Sequence, residues 1–113
     1  MELPTPSEIQ YKWHEQERIM FVCLDPCTWQ GREYDNHSIS LDRINPKKLD
    51  TDQWCETAQL WGAKEILFVA KHTGGFCWWQ TETTDYGIKD TPIIPKSLCL
   101  LIYKQLQSTL SLC

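Results

Sequence analysis

An α/β fold is predicted for this 113-residue chain by three features in succession: an apolar run, a helical stretch with start and stop signals, and a second apolar run. The first run, RIMFVCLD over residues 18–25, is bounded by the charged HEQER before it and by Pro26 after it. The second, EILFVAKH over residues 65–72, places Ile66, Leu67, Phe68 and Val69 side by side. Continuous apolar runs of this length read as strands buried on both faces, as in parallel sheets. Their β-branched and aromatic side chains suit a pleated surface. Strand, helix, strand in this order is a βαβ unit, whose crossover is right-handed.

The helix is read from LDTDQWCETAQLWGAK. Asp50 or Thr51 can cap its start, Gln53 follows three residues after Asp50, and Gly62 stands where a helix end favours a left-handed residue. Trp54, Ala58 and Trp61 recur at helical spacing and are expected on the face laid against the sheet. That periodicity assigns the tryptophans to packing rather than to a ligand.

Composition bounds the rest. With 42% hydrophobic residues the chain can build one domain with a core and no second one. The net charge is −4, from 11 basic and 15 acidic residues, and no Lys/Arg stripe tracks a phosphate backbone, so no nucleic acid partner is expected. No apolar stretch reaches the roughly 18 residues of a membrane span. The start, MELPTPSEIQYKWHEQER, lacks the basic-then-apolar order of a secretory signal, which makes the cytosol the default location.

Of the six cysteines, three sit in apolar or helical patterns where a buried thiol acts as a small hydrophobe; a disulfide framework is the other reading. Cys23 and Cys27 with His14 or His37 lack the paired spacing of a metal site, so no metal and no cofactor is expected.

Two loops carry the chemistry. From Asp25 to Leu49 about two dozen residues show no helix or strand pattern, longer than a connection needs. Loops after parallel strands are where α/β proteins place ligands. This one carries Trp29, Arg32, Glu33, Tyr34, Asp35 and His37, a mixture suited to a sugar or polyol. The stretch AKHTGGFCWWQTETTDYGIKDTP, from Ala70, holds the corresponding place after the second strand, so His72 shares a face with Asp25 and Glu33. His72 reads equally as a ligand contact or as a strand-end histidine bonded to a backbone carbonyl. Gly74 and Gly75 read as a tight turn.

The stretch from Asn45, NPKKLDTDQWCETAQLWGAKEILFVAKHTGGFCWWQTETTDYGIKDTP, resembles the alpha-L-fucosidases of glycoside hydrolase family 29. Their pattern runs A-K-H-H-D-G-F-C-L-W-P, then a Ser or Thr, two variable residues, a second Ser or Thr, Asp, and Tyr or His. The likeness spans Trp13 to about Pro92. It implies a (β/α)8 barrel of the TIM type, of which this chain supplies an N-terminal fragment, the first two βα units. It also implies release of terminal L-fucose from glycans by a retaining mechanism, with a fucosylated glycan or oligosaccharide as partner. Retaining hydrolysis uses one carboxylate as nucleophile and a second as acid and base. The family carries both on later strands, so no catalytic residue is assigned here and the chain is expected to be inactive alone.

The resemblance also carries sugar contacts over. His72 matches the first of the family's paired histidines, a ligand to fucose hydroxyls, whereas Thr73 and Gly74 replace the second histidine and the aspartate. Glu33 and Tyr34 stand at or near a Glu-Trp pair in which a carboxylate bridges two hydroxyls and an aromatic covers the ring. Where most members end the first strand with His-Phe-Gly, this chain has Cys23, Leu24 and Asp25, so Asp25 is a candidate contact. Trp79 is the candidate for the site wall and Trp78 for packing.

Residues 1–92 are thus expected to form the N-terminal part of a fucosidase-like barrel and 93–113 a divergent tail, as in a truncated product. In that tail Leu98, Leu101, Ile102 and Leu106 can line one helical face over the sheet, or be apolar by accident. Two strands alone leave sheet edges unpaired and open to self-association. A non-catalytic carbohydrate-binding or interaction protein is the second reading. Asn36-His37-Ser38 meets the N-glycosylation pattern, which matters in a secreted protein; the family usually works outside the cytosol or in acidic compartments.

Overall fold

Ser7 opens the first helix with a reciprocal cap: its hydroxyl accepts from the Gln10 amide at 3.4 Å while the Gln10 side chain accepts from the Ser7 amide at 2.7 Å. Helix α1, Glu8–Glu15, follows and buries none of its residues. The sequence reading did not anticipate it, because no apolar face marks it. A computed structural model of the chain describes residues 3–94, 96–99 and 102. Strand β1 is Ile19–Val22, helix α2 Cys27–Gln30, helix α3 Thr51–Leu60 and strand β2 Glu65–Phe68. Single 3-10 turns lie at Leu41–Arg43 and Ile88–Asp90. The segment from Asp25 to Leu49 therefore contains one α turn and one 3-10 turn, each too short to show a period in sequence.

The two strands pair in parallel, with Met20 opposite Ile66, Phe21 opposite Leu67 and Val22 opposite Phe68. Amide bonds from Lys64 to the Arg18 carbonyl (2.9 Å) and from Val69 to the Val22 carbonyl (3.0 Å) extend the ladder. Side chains alternate across a strand, so Met20, Val22, Ile66 and Phe68 join the core on one face. The expectation of strands buried on both faces is corrected on the other. Phe21 is 63% and Leu67 49% exposed, because helical cover reaches only one side of the sheet.

Helix α3 follows its signals closely. Asp50 is its N-cap, accepting the Gln53 amide at 3.0 Å. At its end Gly62 has φ +79, and the Ala63 and Gly62 amides donate to the Ala58 and Gln59 carbonyls at 2.9 and 3.0 Å. These are the two bonds of a Schellman motif, for which a glycine at this position carries no Cβ penalty. Ala58 and Cys55 are buried, and Trp54 lies 6.3 Å from Phe68. Trp61 departs from expectation: it is the cap residue beyond the last turn, largely exposed rather than laid on the sheet.

The return after β2 adds to the core, beside Ile44 from the first loop. Phe76 and Trp78 are fully buried and meet edge to face at 4.9 Å. The Trp78 indole donates to the Leu24 carbonyl at 2.6 Å, satisfying the one polar group its burial would otherwise strand. This bears out the packing role expected of Trp78. Past Pro92, the Leu98 amide donates to the Trp78 carbonyl at 3.0 Å, and Leu98 and Ile102 are buried. Leu101 and Leu106 lie outside the described residues. Cys55 and Cys77 are buried, as expected for hydrophobe-like thiols, while Cys23 is exposed.

Candidate functional site

Because β1 and β2 run in parallel and end in register at Val22 and Phe68, the chain leaves both strands at the same end of the sheet. The loop after β1 and the loop after β2 are thereby brought together. Their contact is polar and closely bonded.

Asp35 is its centre. The side chain has no exposed surface. Oδ1 accepts from the Gln30 side-chain amide at 2.6 Å and from the His37 backbone amide at 2.8 Å, and Oδ2 accepts from the Tyr86 hydroxyl at 2.6 Å. Burial alone would raise its pKa, but bonds from Tyr86, the His37 amide and Gln30 outweigh it and hold the carboxyl below its ordinary value. Tyr86 shifts upward, through burial and then through its bond to Asp35.

Around this carboxylate the rings stack. His37 lies on Tyr86 at 4.2 Å with 25° between planes, and its Nε2 donates to the Gly74 carbonyl at 2.7 Å. His72, just beyond β2, is near-parallel to Tyr34 at 6.5 Å and 16°. Its Nδ1 meets the Thr73 hydroxyl at 3.1 Å. The ring partner of His72 is thus a hydroxyl rather than the backbone carbonyl of the structural alternative. Tyr34 is 57% exposed.

Asp25 lies beneath. It is 2% exposed, and neither carboxylate oxygen has a partner that meets hydrogen-bond geometry. Burial raises its pKa. The thiol and amide of Cys27 and the imidazole of His72 act downward, Asp35 acts upward, and burial prevails. An unpaired buried carboxylate is costly to ionise.

Two further expected residues differ in their exposure. Glu33 is exposed. Trp79 is half-buried, and its backbone forms an antiparallel bridge with Ser97. Among the described residues no group of three or more His, Cys, Asp or Glu side chains is placed to hold a metal ion.

Residues 7–99 match the family model for alpha-L-fucosidase. The chain belongs to the alpha-L-fucosidase family. Alpha-L-fucosidase 1 of Arabidopsis thaliana is 34% identical over 89 residues, which is 79% of this chain and 18% of that protein. The chain therefore spans about a fifth of the length of this relative. Among solved structures, a glycoside hydrolase 29 family member from an unknown rumen bacterium is similar at a TM-score of 0.84 and 27% identity, over 94% of this chain and 20% of that one. A Ruminococcus gnavus fucosidase in complex with fucose shares the fold at a TM-score of 0.77 and 24% identity, over 92% of this chain and 23% of its own.

Sequence reasoning counted Asp35 and His37 among the polar residues of the first loop without assigning them a role, and it passed over Tyr86. The signal lay elsewhere. Gly74, which has no side chain, leaves the volume that the Asp35 carboxylate fills.

Proposed function

We propose that this fucosidase-family chain forms the first two βα units of a (β/α)8 barrel and contributes one wall of a site for terminal L-fucose on glycans. The observation that carries the reading is the stacked pair His72 and Tyr34, drawn from two loops that share one end of a parallel sheet. An imidazole supplies a hydrogen-bonding edge and a phenol an apolar face, the two surfaces by which a sugar is recognised.

In this reading Glu33 reaches the hydroxyls from its exposed position, Tyr34 covers the ring face, and Trp79 supports the wall. Asp25, 2% exposed, supports the wall from within rather than by touching the sugar. Retaining hydrolysis needs two carboxylates about 5 to 5.5 Å apart across the anomeric carbon. The family pattern puts them on later strands, so the 113 residues bind without turnover.

Calorimetry of the purified chain with L-fucose and a fucosylated oligosaccharide tests the binding. Heat at millimolar sugar that His72→Ala abolishes is the expected result; no heat in the wild type refutes it. Turnover of an aryl fucoside above the His72→Ala control would refute the inactivity.

A further inference from the structure

The volume at Gly74 is filled from the other loop. A Cβ at this position would stand 2.6 Å from Cβ and 2.7 Å from Oδ2 of Asp35. Only glycine leaves room for the buried carboxylate. At the turn where the fucosidase pattern carries histidine and aspartate, this chain has Thr73 and Gly74, and the first loop brings an aspartate and a histidine of its own, Asp35 and His37.

His37 is held in a demanding conformation. Its φ is 59, in the left-handed region that non-glycine residues enter at a cost of about 1 kcal/mol or more. Three contacts keep it there: Asp35 on its amide, Tyr86 under its ring, and the Gly74 carbonyl at Nε2. A carbonyl can only accept, so Nε2 carries the hydrogen and Nδ1 of the neutral ring is an acceptor. Nδ1 has no partner among the described residues, on a side chain 58% exposed.

We infer that His37 is a second imidazole of the sugar-binding wall, accepting a hydrogen bond from a sugar hydroxyl at Nδ1. Asp35, Tyr86 and Gly74 are positioning residues that set its orientation and tautomer. The inference rests on the fucose-binding reading above. It adds a contact from the first loop beside the turn at Thr73 and Gly74.

Long-range proton–nitrogen spectra of the full chain at pH 8 test it, with L-fucose as the probe. The expected result is His37 in the Nε2–H tautomer, with its Nδ1 signal moving on fucose addition. His37→Phe keeps a ring on Tyr86 and should bind fucose about tenfold more weakly, the worth of one hydrogen bond. Tyr86→Phe keeps the stack and removes only a bond to Asp35, so it should weaken fucose binding less than His37→Phe. Should His37→Phe fail to fold, His37→Asn, which tolerates positive φ, reads the same loss. If fucose binds and His72→Ala abolishes it, while His37 signals stay still and its variants bind normally, the inference is overturned and the fucose site stands. If fucose moves no signal in the wild type, the fucose site itself is overturned, and the His37 contact with it.

Discussion

Gly74→Ala should destabilise the chain by about 2 kcal/mol, although alanine is ordinarily the more stabilising residue. The φ at this position is not left-handed, so the backbone itself accepts alanine. The new methyl would stand 2.6 Å from the Asp35 Cβ, where carbon contacts begin at about 3.5 Å. Asp35 must therefore withdraw by roughly 1 Å. Its bonds from Gln30 and Tyr86, both 2.6 Å, then stretch past the useful range. Two bonds to an ionised acceptor contribute about 3 kcal/mol together, and the reduced freedom of the unfolded chain returns about 0.4 to 1 kcal/mol. In urea, followed by tryptophan fluorescence, the midpoint should fall by about 1.5 M for an m-value near 1.3 kcal/mol/M. The decisive comparison is the double variant. With Asp35→Ala already present the methyl has nothing to displace, so Gly74→Ala should then cost less than about 0.5 kcal/mol. Additive effects would refute the notch.

Other outcomes follow from the same geometry. Trp78→Phe removes the indole bond to Leu24 and leaves a void at a fully buried site; a loss of about 2–3 kcal/mol is expected by denaturant unfolding. Asp50→Ala removes the cap of α3 and should cost about 1 kcal/mol, read by the same assay. The Asp25 carboxyl titrates above its ordinary value in the folded chain. The folded state therefore binds its proton more tightly, and stability should rise as pH falls from neutral through that raised pKa; Asp25→Asn should abolish this rise. Asp35 has the opposite sign: its pKa is depressed, so its contribution is complete above the ordinary aspartate range and is lost as pH falls through the lowered value. Phe21→Lys on the bare sheet face should change stability by less than about 0.5 kcal/mol, and lower any association seen by sedimentation; unchanged association would show that this face is not what copies share.

Much of the fold was legible because local chemistry dictates it. Asp50, the apolar spacing and Gly62 mark α3 within the chain itself, since caps and amphipathic faces act over neighbouring residues. The two strands announced themselves as apolar runs, though their exposed face did not: burial depends on what lies opposite, which no run of residues encodes. Helix α1 escaped because a cap without an apolar stripe carries half a signal. Trp61 misled because it keeps helical spacing one residue past the helix end.

At the site the division is sharper. Residue types alone singled out the two loops, and one contiguous stretch carried the resemblance to the alpha-L-fucosidases. The tertiary structure alone joined Asp35 to Tyr86 across 51 residues, set Asp35 in the space left open by Gly74, and placed Asp25 under the site without a partner. Spacing cannot anticipate these contacts. They form where two loops, positioned by a shared sheet register, compete for one small volume, and the outcome depends on distances of a few tenths of an ångström.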